Sequence, residues 1–227
     1  MHLKDKVIVI TGAFGQLGRA VTAEVLRQGA KAALLDISSG DAPDGAHVWR
    51  TDLGSLADAE AAMERAAQRF GGIDGLVNVV GGFACRTLED SDDLSEWQHM
   101  YSINLMTCVT ASKAVLVHLQ QRGSGRIVNI GAAGAARAMA GMGPYASSKS
   151  AVARFTEALA EEVKCHEITV NAVLPSIIDT PLNRADMPDA DFSNWVTPLD
   201  VAHAVGFLLS DAARSITGAL LPVTGNV

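Results

Sequence analysis

Short apolar runs alternate along this chain with longer segments whose apolar residues recur at helical spacing, and few folds tolerate that alternation. "KVIVIT" (6–11), "KAALLD" (31–36), "HVWRTD" (47–52), "IDGLVNVV" (73–80), "GRIVNI" (125–130), "ITVNAVL" (168–174) and "GALLPV" (218–223) read as strands. Most are apolar on both faces, so both faces need a cover, and the helical segments between them supply it. "GQLGRAVTAEVLRQG", "SLADAEAAMERAAQRFG", the stretch 94–121, "PYASSKSAVARFTEALAEEV" and 199–210 are the helices of that reading. The pattern predicts an α/β fold, a doubly wound parallel sheet of Rossmann type, in one domain spanning 1–227. The least regular stretch, 175–198, carries most of the prolines. A long irregular segment in a compact domain is usually functional, which makes it a candidate substrate-covering loop.

Composition narrows the class. With 48% hydrophobic and 19% charged residues over 227 positions, the chain can bury a large core. A formal charge of −7 argues against nucleic acid as a partner, because phosphate neutralisation needs a basic surface. No apolar run reads as long enough to cross a bilayer, and "MHLKDKVIVITG" runs straight into a strand with no separate leader. The expectation is a cytoplasmic protein with no membrane partner. Cys85, Cys108 and Cys165 are odd in number and far apart, and His2, His47, His99, His118, His166 and His203 show no ligand pairing, so no metal is expected.

"TGAFGQLG" joins the first strand to the first helix. Gly12, Gly15 and Gly18 let the backbone turn tightly and approach a pyrophosphate, whose charge is favoured at a helix N-terminus. The spacing is G-x-x-G-x-x-G, and the candidate cofactor contacts in the turn are Gly12, Phe14, Gly15, Gln16 and Leu17. Asp36 ends the second strand, where a dinucleotide fold places the acid that binds ribose. A carboxylate there repels a 2′-phosphate, and "DISSG" brings no cation, so NAD(H) is favoured over NADP(H). Asp52 and Leu53, after the third strand, fall within reach of adenine by the same logic.

Tyr145 and Lys149 stand one helical turn apart and project from one face. A free phenol is a weak acid–base group at neutral pH, and a neighbouring ammonium lowers its pKa. Such a tyrosine can pass a proton to or from an oxygen while hydride moves at the adjacent carbon. Yet between Gly125 and Pro144 the chain carries no serine or threonine.

These residues resemble the short-chain dehydrogenase/reductase family along nearly the whole chain. The resemblance is carried by "TGAFGQLG", Asp36, "TDL" ending at Leu53, "NVVGG" from Asn78, "SINL" with Asn104, "GRIVNI", "YASSK" and "LPSIIDTP". It implies that Tyr145 is the proton donor or acceptor, that Lys149 binds nicotinamide ribose and assists it, and that Asn104 supports a proton relay. It adds Asn78, Pro175, Ile178 and Thr180 to the cofactor contacts and implies a small-molecule substrate and a homodimer or homotetramer. Three features depart from the family: the glycine spacing, Ser176 where glycine is usual, and Ala132, thirteen residues before Tyr145, where the family has a serine.

One reading of Ala132 is a non-catalytic dinucleotide-binding module. The other is an acceptor that does not need the serine's hydrogen bond, such as a conjugated quinonoid ring that spreads the incoming charge. The dihydropteridine reductase subgroup is similar in the glycine spacing, the small residue for serine, "LPSIIDTPLNRADMPDADFSNW", and Gly81, Gly82 and Phe83 as a Gly-Gly-aromatic stretch. That likeness implies substrate contacts from Phe83 and Ala132.

Overall fold

The computed structural model describes residues 3–226. Strands β1 (Val7–Thr11), β2 (Lys31–Asp36), β3 (Ala46–Arg50), β4 (Gly75–Asn78), β5 (Gly125–Ile130), β6 (Ile168–Pro175) and β7 (Leu220–Val223) form one sheet in the order β3-β2-β1-β4-β5-β6-β7. Every pairing is parallel. The helices are α1 (Gln16–Arg27), α2 (Leu56–Phe70), α3 (Ser95–Met100), α4 (Thr107–Arg122), α5 (Gly143–Val163), α6 (Pro181–Asp186) and α7 (Pro198–Leu209). The observed sheet and its two helical layers are the expected doubly wound architecture.

The period of two along β1 divides the core. Ile8 and Ile10 pack with Val21 and Val25 of α1 and Val201, Val205 and Leu208 of α7. Val9 faces the other way, with Ala59, Ala62 and Met63 of α2, Val115 and Leu119 of α4, and Leu159 and Val163 of α5. Burying apolar surface on both sides of the strands is the main force holding the layers together. Local chemistry fixes the ends: Thr197 and Asp200 form a reciprocal capping box at the start of α7, with Pro198 in its first turn.

The expected helix over 94–121 is continuous from Ser95 to Arg122, but a π-helical stretch, Tyr101–Met106, interrupts its α geometry. At 28 residues and a mean hydropathy of 1.3 in its most apolar window, this helix is long and apolar enough to cross a membrane. That corrects the sequence reading, which saw no such run. Here Ala111, Ala114, Val115 and Leu119 are core residues against the sheet. The 175–198 segment is also more ordered than expected. It carries α6, a 3-10 turn at Phe192–Asn194, and a parallel bridge between Ile178 and Val196 at its root.

Candidate active site

The carboxyl ends of β1, β2 and β4 open on a cleft of about 560 Å³. It lies where the chain, having run outward through β2 and β3, returns to the other side of β1, the usual place for a ligand in such a sheet. Gly12 turns with φ +62°, and a Cβ there would come within 3.0 Å of the Val80 nitrogen. A Cβ on Gly18 would come within 2.1 Å of the Gly12 carbonyl oxygen, so α1 packs on the turn only because Gly18 has none. Gly15 caps α1 with no side-chain hydrogen bond to its first N–H groups, and Gly15, Gln16 and Leu17 line the cleft.

Asp36 is held rigidly at the far wall. Its Oδ2 accepts from the Phe14 N–H at 3.0 Å and its Oδ1 from the Ser38 N–H at 2.9 Å. Asp52 and Leu53 line the same wall, and Asp52 accepts from the Gly54 N–H at 2.8 Å. Phe14 contributes its backbone; its ring packs over Gly40 and under the Arg19 guanidinium, 5.6 Å from the ring centroid. Ile37, Thr51, Val79, Val80, Gly81, His99, Ser102, Ile103 and Thr107 also line the cleft. The sequence reading missed these, although Val79–Gly81 follow directly on β4 and could have been taken from the strand-end rule.

Past Gly81 lie Lys149, Tyr145 and Asn104. The Lys149 ammonium is buried and donates to the Ile130 carbonyl at 2.8 Å. A Cβ on Gly81 would stand 3.1 Å from Lys149 Nζ and 2.7 Å from Asn104 Oδ1, so the bare backbone of Gly81 is what the two groups converge on. Burial lowers the Lys149 pKa to about 8, with the nearby Cys108 acting in the opposite sense. Burial pushes the Tyr145 phenol up. The expectation of an ammonium-lowered phenol is therefore corrected: Lys149 is turned to a carbonyl and desolvation governs both groups.

Asn104, in the π-helical stretch, is buried and engaged on both sides of its amide. Its Oδ1 accepts from the Gly82 N–H at 2.9 Å, and its Nδ2 donates to the Gly82 carbonyl at 3.2 Å and to Ser148 Oγ at 3.0 Å. Ser148 in turn donates to the Tyr145 carbonyl at 2.7 Å. The amide thus ties the Gly81–Gly82 turn to the start of α5. The Phe83 ring meets the Tyr145 ring edge-on, centroids 4.9 Å apart, and is 60% exposed. Ala132, two residues beyond Ile130, is buried and extended.

A family model described as short chain dehydrogenase matches residues 6–191. The chain belongs to the short-chain dehydrogenase family. Over its whole length it is 32% identical to 2-(S)-hydroxypropyl-CoM dehydrogenase 3 of Xanthobacter autotrophicus, covering 98% of that protein. It is 34% identical, again over its whole length and 99% of the relative, to the 3-oxoacyl-[acyl-carrier-protein] reductase FabG of Pseudomonas aeruginosa. The structure of 3-ketoacyl-(acyl-carrier-protein) reductase from Brucella melitensis complexed with NADH superposes with a TM-score of 0.89 at 28% identity, covering 99% of this chain and 100% of that one. The protein is an NAD(P)-dependent oxidoreductase.

In the dehydrogenase Gly12, Gly15, Gln16, Leu17, Asp36, Asp52 and Leu53 lie together around the cleft. The Asn78 side chain turns into the core, where its Nδ2 donates to Ser112 Oγ at 3.0 Å and Asn129 Oδ1 at 2.8 Å, so it is a strut between β4, β5 and α4. Pro175 ends β6, Ile178 bridges Val196, and the Thr180 hydroxyl caps α6 by accepting from the Asn183 N–H. The glycine cradle, the uncapped start of α1 and a buried ammonium that among the described residues donates to one carbonyl fit a nicotinamide dinucleotide laid from Asp36 towards Lys149.

Proposed function

We propose that this dehydrogenase uses NADH to reduce a quinonoid or otherwise conjugated acceptor, in the manner of the dihydropteridine reductases. Ala132 carries the reading. A methyl group stands where the family's serine would donate to a substrate carbonyl, beside a tyrosine and a lysine that remain in place. A simple ketone gathers its negative charge on one oxygen, where a lost donor costs rate heavily. A conjugated acceptor spreads that charge over several heteroatoms and loses less.

A bound nicotinamide supplies the hydride. Tyr145 Oη gives the proton to the acceptor heteroatom, and burial suits it to that direction by keeping the phenol protonated at neutral pH. Lys149 holds the nicotinamide ribose from its place against the Ile130 carbonyl. Asn104 keeps the Gly81–Gly82 turn and α5 in register. Phe83 stacks on the acceptor ring, and its exposure leaves it free to do so. Asp36 binds the ribose diol and disfavours a 2′-phosphate; two cations stand near, and both are engaged, Arg19 donating its Nε to the Phe14 carbonyl at 2.9 Å and Arg50 its Nε to the Ile37 carbonyl at 3.0 Å. Residues 175–198 cover the acceptor. In support, Arg184 pairs with Asp179 at 2.5 and 2.7 Å and stacks 4.8 Å over Phe192, which stiffens the segment. The same reading takes the working form as a homodimer or homotetramer.

A second reading, reduction of simple ketones, draws on the relatives, several of which are named as oxoacyl reductases. Steady-state rates with NADH on quinonoid dihydropterin and on a panel of simple ketones decide between the two. We expect turnover of the pterin, and we expect Ala132→Ser to favour ketones over it. Turnover confined to ketones, or the reverse ranking in the variant, removes the conjugated-acceptor reading.

A further inference from the structure

Two consecutive residues of β5 hold α5 at two points. The Ile130 carbonyl accepts from Lys149 Nζ at 2.8 Å, and the Asn129 side chain donates from Nδ2 to Thr156 Oγ1 at 2.9 Å. Lys149 and Thr156 lie seven residues apart, two turns along one buried face of α5. The apolar face of α5 holds it to the sheet, and the two directional contacts set its slide and rotation against β5. Asn129 is itself anchored. Its Oδ1 accepts from Asn78 Nδ2 of β4 at 2.8 Å and from Cys108 Sγ of α4 at 3.4 Å, and Thr156 passes its own proton to the Val152 carbonyl at 2.8 Å. Asn129 and Thr156 are fully buried, where a polar contact that breaks has no water to replace it.

We propose that Asn129 is a positioning residue for the reaction, gripping α5 through Thr156 and so fixing the Lys149 ammonium against the Ile130 carbonyl. The inference rests on Tyr145 and Lys149 carrying the chemistry. Gly81, in the turn after β4, and Ile130 of β5 face Lys149 and carry no titratable group. Cys108 from α4, pushed up to about 12, and Tyr145, also raised, stay protonated through the range in which Lys149 titrates.

The test is Thr156→Val, which keeps the volume and removes the acceptor. With the grip lost, the ammonium is less well held, its charged form is less favoured, and the alkaline limb of the rate profile moves to lower pH. We expect kcat to fall about tenfold, as a displaced reacting group costs, while the KM for NADH stays within about twofold. Thr156→Ser restores both rate and limb, and Thr156→Cys, a weaker acceptor, falls between. That Ser–Cys ranking carries the test should the valine variant not fold. Ser112→Ala breaks a different bond of the same buried network and is expected to leave the limb in place. An unmoved limb in Thr156→Val, or an equal movement in Ser112→Ala, overturns the proposal. Tyr145→Phe, measured alongside, separates the two levels: if it turns over at the unmodified rate, the underlying reading falls, whereas an inactive Tyr145→Phe beside an unaffected Thr156→Val removes the Asn129 proposal alone.

Discussion

At the scale of single residues, the site is governed by desolvation. Lys149 carries its amine into the core with one carbonyl partner, which depresses its pKa from 10.5 to about 8. The sign of the consequence for stability is definite. Between about pH 8 and 10.5 the folded protein holds fewer protons than the unfolded chain at this position, so its contribution to stability rises with pH across that window. Below pH 8 the full cost of burying the charge is present. Lys149→Met removes the group, so urea unfolding at a series of pH values should show the unmodified protein gaining on the variant by about 1–3 kcal/mol from pH 8 to 10.5. A flat difference across that window would mean that the amine is better solvated than its burial indicates. Tyr145→Phe should lower kcat by a factor of about 10² or more, the usual worth of a placed acid, with little change in stability. The residue types at this site were legible in the sequence. Their protonation was not, because the carbonyl that turns Lys149 away from simple pairing with Tyr145 belongs to Ile130, on a strand the sequence could not dock against α5.

At the scale of elements, the β1–α1 turn works because one glycine lets two backbones touch. Gly18→Ala puts a Cβ within 2.1 Å of the Gly12 carbonyl oxygen and 2.8 Å of Ala13 Cα, backbone atoms that cannot swing aside. Gly15→Ala meets nothing nearer than 3.5 Å. Thermal unfolding should therefore separate the two: Gly18→Ala loses about 1–3 kcal/mol, and Gly15→Ala loses less. Equal losses would mean that the spacing of the glycines matters and the packing of α1 does not. The strands and most helices were readable from period and turn residues, since β1, β2 and β5 are little more than their own apolar runs. What local pattern could not give was interruption and direction. The π-helical stretch at Tyr101–Met106 looks like ordinary helix in sequence, yet it sets Asn104 against Gly82. Asn78 stands at a strand end like a ligand contact, and only the neighbouring Asn129 and Ser112 show that its amide faces the core.

For the whole molecule, the order of the sheet decides where a dinucleotide lies. β2 and β3 run out on one side of β1 and β4 to β7 on the other, so the crossovers diverge at the β1 and β4 ends and leave a crevice there. Asp36 closes its far end, clamped by two backbone N–H groups that leave its carboxylate no freedom to retreat from a 2′-phosphate. The cofactor should therefore reveal itself through the stability of the entire fold. A ligand bound only to the native state adds RT ln(1 + [L]/Kd), about 2.7 kcal/mol at a hundred times Kd. For a chain of this size that is a rise of roughly 5–10 °C in Tm. NADH should give such a shift, and NADPH at the same concentration a clearly smaller one. Asp36→Ala should narrow the gap from both sides, lowering the NADH shift by loss of the ribose contact and raising the NADPH shift by relief of repulsion. Equal shifts for the two cofactors in the unmodified protein, or a gap that survives Asp36→Ala, would place the discrimination somewhere other than the end of β2.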